Sequence, residues 1–358
     1  MSDLSGGEPA APEPTAVGRL TRRGRTVLGV LALLVVVGLG AGVWVLRQIN
    51  PAGGPGAKVT VDVTPGTSVA AVASELDDKG VITSARVFRV YLKLRGGAGA
   101  IQAGEYELRT NLSMSEARAA LKRGPSILFQ KLTIPEGLTL DQIADRVGAL
   151  PGRSREKFLA AARSGAVRSQ WQPPGSTNLE GLLFPDTYLV TDKEDEAGIV
   201  RRLVGRFEEV ANQVGLAAGA KPTGLSPYQL VVAASLVESE AKVKDDRPLI
   251  ASVIQNRLQK GMRLQIDATV LYALGEHKTR VLNKDLEIDS PYNTYKVDGL
   301  PPTPISAAGR ASLEAMLHPA ATTYIYYVLS DKNGKHAFAT TSSEFEALKA
   351  EARRKGLL

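Results

Sequence analysis

SPYQLVVAASLVESEAKVKDDRPLIASVIQNRLQKGMRLQIDATVLYALG, residues 226–275, decides how this chain is read. Ser226 is a good N-cap, Pro227 fits the first helical position, and Gln229 completes a capping box. Residues 230–237 are almost wholly apolar, the pattern of a helix buried on all sides. That helix runs into two carboxylates, Glu238 and Glu240. Burial disfavours the charged form of a carboxylate and raises its pKa. An enzyme uses that effect to keep a general acid protonated near neutral pH. A second helix opens near Asp246, with Pro248 in its first turn. Leu249, Ile250, Val253, Ile254 and Leu258 form its apolar stripe, and Gly261 ends it. A polar segment follows, Gln265-Ile266-Asp267-Ala268-Thr269.

Upstream, residues 58–128 read as a small α+β unit. Val59, Val61 and Val63 alternate with polar residues as in a half-buried strand. Pro65-Gly66 turns the chain, and Thr67 or Ser68 caps a helix carrying Val69, Val72 and Leu76, with Gly80 near its end. A helix over 84–94, a strand over 104–108 and a helix over 114–122 complete the unit. A larger mixed α/β unit spans 129–358. It opens with a strand at 132–134, and Thr139-Leu140-Asp141-Gln142 is a capping box. Further helices fit 154–164 and 195–214, and late strands fit 323–329 and 337–340.

The 358 residues suffice for two domains, and 44% hydrophobic content means that most of the chain folds. The absence of cysteine excludes disulfides, thiol catalysis and cysteine-based zinc sites. His277, His318 and His336 lack the spacing of a zinc hydrolase. The net charge of +7 is scattered, without the basic stripe that tracks phosphates, so nucleic acid is not an expected partner.

Residues 27–46 contain no charged side chain. Twenty helical residues span about 30 Å, the hydrocarbon thickness of a bilayer. Arg19, Arg22, Arg23 and Arg25 precede this run and only Arg47 follows closely. The expected layout is a disordered cytoplasmic tail over 1–25, a single transmembrane helix over 26–47, and everything beyond it outside the membrane. Residues 48–57, rich in Pro and Gly, read as a flexible linker that keeps the rest within on the order of 15–20 Å of the bilayer.

Glu238 and Glu240 compete for a proton-transfer role. Two residues apart on a helix, they point about 200° apart, and periodicity alone does not choose between them. The structural alternative is a solvated helix end with two incidental glutamates. Glu238, Glu240, Asp245, Asp246 and Asp267 lack any dense oxygen-ligand spacing, so no metal site is expected. Ser290-Pro291-Tyr292-Asn293-Thr294-Tyr295 offers the flat apolar faces and hydrogen-bonding groups of a sugar site, or a turn with two core tyrosines. Residues 179–188, LEGLLFPDTY, wall the same cleft or form a packed turn. His336, before Ala337-Phe338, is more often structural than catalytic.

Together LEGLLFPDTY at 179–188, ASLVESEA at 234–241, NRLQKGMRLQIDATVLY at 256–272, SPYNTY at 290–295, GLPPTPI at 299–305 and GKHAFATT at 334–341 resemble the YceG-like family of membrane-anchored endolytic murein transglycosylases. The unit at 58–128 is similar to that family's LysM-like subdomain. The resemblance implies cleavage of the MurNAc-β-1,4-GlcNAc bond of peptidoglycan without water, leaving 1,6-anhydro-MurNAc ends. It implies a single glutamate as acid and base, assigned to Glu238. It implies substrate contacts at Gln265, Asp267, Thr269, Tyr272, Tyr292, Asn293, Thr294, Tyr295, Glu180 and His336. No cofactor is implied, and peptidoglycan synthases (penicillin-binding proteins) are implied partners. Ala268, Ser306-Ala307-Ala308-Gly309 and Phe345 depart from the family pattern. The competing expectations are a two-carboxylate glycan hydrolase, using Asp267 or Asp289, and a non-catalytic scaffold that binds glycan and recruits synthases.

Overall fold

The computed structural model describes residues 22–275 and 281–358. The expected tail before residue 22, and His277, lie outside the described residues. The chain divides into two compact units, Met1–Ser126 and Ile127–Leu358.

In the first unit, α1 (Arg22–Ile49) contains one stretch, Arg25–Ile49, long and apolar enough to cross a membrane. Strand β1 (Lys58–Val63) pairs antiparallel with β2 (Gly104–Arg109), Val61 facing Tyr106. Helices α2 (Val69–Asp78), α3 (Ala85–Leu94) and α4 (Met114–Arg123) pack around this ribbon. Ser68, Ser84 and Ser113 cap the three helices by accepting the N–H three residues on. Val61, Val63, Leu76, Phe88, Leu92, Tyr106 and Leu121 make the core. The valine alternation that predicted β1 buries its side chains at Val61 and Val63.

The connection after α1, where a flexible linker over 48–57 was expected, makes several hydrogen bonds to the first unit. The Asn111 side-chain amide donates to the carbonyls of Ala52 (3.1 Å) and Gly54 (3.3 Å). Gly56 N–H donates to Thr110 O at 2.8 Å, and the Thr83 hydroxyl donates to Gln48 O at 2.8 Å. Asn111 sits in the left-handed region (φ 58°), which asparagine tolerates, and this aims its amide at both carbonyls. Ile49 packs on the unit's core.

In the second unit, β3 (Ile127–Thr133) pairs antiparallel with β4 (Thr187–Thr191), Phe129 facing Thr191. Helices α5 (Leu140–Gly148), α6 (Arg155–Arg163) and α7 (Glu196–Gln213) pack in succession, and α7 leads to α8 (Leu216–Thr223), which covers α9 (Pro227–Glu240) together with α10 (Arg247–Gln259), α11 (Asp267–Leu274) and α12 (Arg310–Leu317). The hairpin β5 (Tyr326–Leu329)–β6 (His336–Ala339) carries α13 (Ser342–Arg354). The expected capping box at Ser226 and Gln229 is formed, and Leu230–Val237 is buried throughout. Burying Leu230, Val231, Val232, Leu236 and Val237 is worth on the order of 10 kcal/mol before chain entropy is set against it.

Several elements depart from expectation. The polar segment at 265–269 starts α11, with Asp267 in its first turn where the helix dipole favours a negative charge. Strand β4 was not expected: it begins two residues after Leu183-Phe184-Pro185, and Tyr188 and Val190 face inward. Helices α12 and α13 went unanticipated. The residues at 323–325 lie outside β5.

Gly181, in the turn before β4, has φ 73°, and a Cβ there would lie 2.3 Å from the Pro304 side chain. Gly181→Ala combines left-handed strain with overpacking. It is expected to cost about 2–4 kcal/mol, read as a lowered urea midpoint at unchanged slope.

Candidate active site

Helix α9 delivers three consecutive side chains at its last turn, about 100° apart, and each meets a different environment. Glu238 reaches the start of α12. Its Oε2 accepts from Gly309 N–H at 3.0 Å and from the Ser312 hydroxyl at 2.8 Å, and its Oε1 lies 3.4 Å from Arg247 Nη2. Gly309 is the N-cap of α12 and has no side chain to close that helix end, so the Glu238 carboxylate does this instead. A Cβ at Gly309 would lie 1.8 Å from Glu136 Oε1, so a larger residue there would displace the Glu136 side chain. Glu136, also 3.9 Å from Arg247, has its pKa raised by burial and then by the Glu238 charge.

Ser239 faces a cleft of about 680 Å³ lined also by Thr139, Glu180, Ala268, Tyr272 and Ser306. Glu180 is buried there. Its Oε1 accepts from Leu140 N–H at 2.9 Å, and its Oε2 accepts from the Tyr272 hydroxyl at 3.1 Å. Desolvation raises its pKa to about 7 against these donors. The rings of Tyr272 and Tyr292 lie 4.9 Å apart, and the Tyr292 hydroxyl meets that of Thr303 at 2.8 Å.

Glu240 faces a second cleft of about 450 Å³, with Arg257, Gln265, Asp267, Tyr295, Tyr327 and His336. The Tyr327 hydroxyl donates to Glu240 Oε2 at 3.1 Å, and the backbone N–H of Ala268, in the first turn of α11, lies beside the carboxyl and favours its charged form. Burial, with Asp267 nearby, pushes Glu240 up to about 7. Tyr295 donates to Asp267 Oδ1 at 2.5 Å. Arg257, whose pKa burial lowers, donates to the carbonyls of Ile325 and Leu264, each at 2.6 Å, and its guanidinium lies 5.4 Å from the Tyr326 ring centre. His336 is fixed by buried Asp246, which accepts from its backbone N–H at 2.7 Å and lies 2.9 Å from its Nδ1.

The expected site residues therefore separate into groups. Gln265, Asp267, Tyr295 and His336 share the cleft of Glu240, whereas Glu180 and Tyr272 line the other. Glu238 lines neither. Thr269, Asn293 and Thr294 are fully buried supports. The hydroxyls of Thr269 and Thr294 meet at 2.9 Å, and Thr294 accepts from Gln265 N–H (3.1 Å) and Ile266 N–H (2.9 Å). They hold Gln265 in a left-handed conformation (φ 49°) at the cleft wall. The Asn293 amide donates to the carbonyls of Leu286 and Ile288. Arg257, Tyr326 and Tyr327 were missed as cleft residues. Arg257 could have been found, because it falls four residues after Val253 on an otherwise apolar stripe.

Comparison with known proteins agrees with this architecture. A model of the YceG-like family matches residues 61–351. A Bacillus subtilis (strain 168) protein named endolytic murein transglycosylase is 38% identical over 305 residues, covering 81% of this chain and 84% of the relative. A Streptococcus pneumoniae protein of the same name is 30% identical over 351 residues, and the match spans 90% of this chain and 63% of that longer relative. The crystal structure of a putative YceG-like protein from Listeria monocytogenes superposes with a TM-score of 0.57 at 35% identity, covering 81% of this chain and 98% of that one. The chain belongs to the YceG-like family.

Proposed function

We propose that this protein is an endolytic murein transglycosylase in which Glu240 carries the proton. The single observation that carries the assignment is the setting of Glu240. Its carboxyl faces an open polar cleft, is shifted by burial to about 7, and has a tyrosine hydroxyl and a helix-start N–H beside it. Glu238 has the opposite setting, with both oxygens bound to Arg247, Gly309 and Ser312, outside either cleft. The geometry thus favours Glu240 over the Glu238 expected from the sequence.

The reaction needs one carboxyl. Glu240 as acid gives its proton to the glycosidic oxygen as the bond from MurNAc C1 to that oxygen breaks. The C6 oxygen of the same MurNAc then bonds to C1, and the C6 hydroxyl proton returns to Glu240. No water enters, and the new end is a 1,6-anhydro sugar. The internal nucleophile acts at high effective molarity, which removes the need for the second carboxylate of a hydrolase. The Tyr295–Asp267 pair and Gln265 supply hydrogen-bonding groups for the sugar, with Tyr326 as a flat face. The cleft lined by Glu180 and Tyr272 would take a further part of the same strand. A two-carboxylate hydrolase remains as a second reading because Asp267 shares the cleft with Glu240. In the proposed setting α1 spans the membrane with its N-terminus in the cytoplasm, and the enzyme cuts nascent strands, ending their elongation beside the synthases.

Mass spectrometry of products from uncrosslinked glycan strands tests this. Wild type is expected to give anhydro ends, and reducing ends would instead establish hydrolysis. Glu240→Gln is expected to lower kcat by on the order of 10³-fold or more. Glu238→Gln is expected to stay catalytically competent while losing about 3 kcal/mol of stability. The reverse pattern would return the role to Glu238. Because bond breaking starts from protonated Glu240, kcat is expected to fall as pH rises through about 7. A rate that keeps rising well above that pH would exclude Glu240 as the acid.

A further inference from the structure

The outward face of α3 has no role in the reaction proposed above. Phe88 and Leu92 point into the core, leaving two rows on the other side of the helix: Arg86, Val90 and Leu94, and Arg89 and Lys93. Val90 is 57% exposed and Leu94 80%, and Val69 at the start of α2 is 45% exposed beside them. An apolar groove of about 730 Å³ runs between α2 and α3, with Arg86, Arg89 and Lys93 on its rim. No hydrogen bond or ion pair engages these three cations among the described residues. Large apolar side chains exposed together, ringed by free cations, are the composition of an interfacial membrane-binding helix face, not of a solvated one.

The position of α3 along the chain names the surface. The end of α1 packs against α3, and Thr83, next to the Ser84 cap of α3, donates to the Gln48 carbonyl at 2.8 Å. The segment that follows α1 is pinned by Asn111 and Thr110. The helix long enough to cross a bilayer therefore ends directly on the element that bears the apolar, basic face.

We propose that this face of α3 docks on the anionic headgroup layer of the membrane that α1 spans. Val90, Leu94 and Val69 enter the boundary between headgroups and acyl chains, and Arg86, Arg89 and Lys93 bind lipid phosphates. The inference rests on the reading of α1 as a membrane span. Being tethered, the face needs little intrinsic affinity. Its occupancy follows the anionic lipid content and weakens with salt.

The chain has no cysteine, so Leu94→Cys carries a single fluorophore. The full chain is placed in lipid nanodiscs, and quenching by a nitroxide borne at headgroup depth is measured. A probe at Glu107→Cys, exposed on β2, serves as the control. Expected is strong quenching at position 94 in discs containing phosphatidylglycerol, less in pure phosphatidylcholine, and little at position 107. Neutralising Arg86, Arg89 and Lys93 to Gln is expected to shift the docking equilibrium on the order of fivefold per charge. An unquenched probe at 94 in discs that have taken up the chain overturns the docking while leaving the span intact. Failure of the chain to enter discs overturns both. A probe indifferent to lipid but responsive to added glycan strands assigns the face to glycan and also overturns the proposal.

Discussion

The burial of α9 governs the second unit. A helix apolar on every face has no side for solvent, so other elements must cover it all round, and α8, α10, α11 and α12 do so. Such a helix can carry polar chemistry only where it leaves the core. That restricts it to the last turn, where the rotation of about 100° per residue distributes adjacent side chains to separate surroundings. Glu238, Ser239 and Glu240 thus belong to a helix-end clamp and to two clefts respectively. The spacing that prevents the two glutamates from sharing one site also lets each have its own task.

The surroundings then differentiate them. Around Glu238 an arginine, a backbone N–H and a hydroxyl all donate, so both of its oxygens are already engaged. Around Glu240 the donors are neutral and another carboxylate stands nearby. That is the arrangement for a proton held at neutral pH and released. The Glu238 clamp joins the turn after β3 to the starts of α10 and α12. By fixing the end of α9, it also fixes the direction in which Glu240 leaves the helix.

Much of this was legible from the sequence. The capping boxes at Ser226 and Thr139 and the alternating valines of β1 are local signals, and the structure forms each of them. The residues of the smaller cleft were also singled out, Gln265, Asp267, Tyr295 and His336 among them. What stayed hidden depends on contacts between distant segments. Nothing local separates Glu238 from Glu240, because the difference lies in Ser312 on one side and Tyr327 on the other, more than seventy residues downstream. Thr269 and Thr294 read as sugar contacts because their hydroxyls bond each other only once α11 and the 290–295 turn meet. The glycines and prolines at 51–56 suggested slack, yet two carbonyls of that segment, Ala52 and Gly54, are what the Asn111 amide binds.

That Asn111 staple determines where the chain can be shortened. A version beginning after residue 56 would strip the Asn111 amide of both acceptors and the Thr110 carbonyl of its donor, and would remove Ile49 from the core of the first unit. The last turn of α1 is therefore a structural part of the folded unit as much as of the long apolar helix. A shortened form that keeps all these contacts starts no later than Gln48, whose carbonyl serves Thr83. A cut at Ile49, where the apolar helix ends, would take Gln48 and Ile49 away from the fold they help to hold.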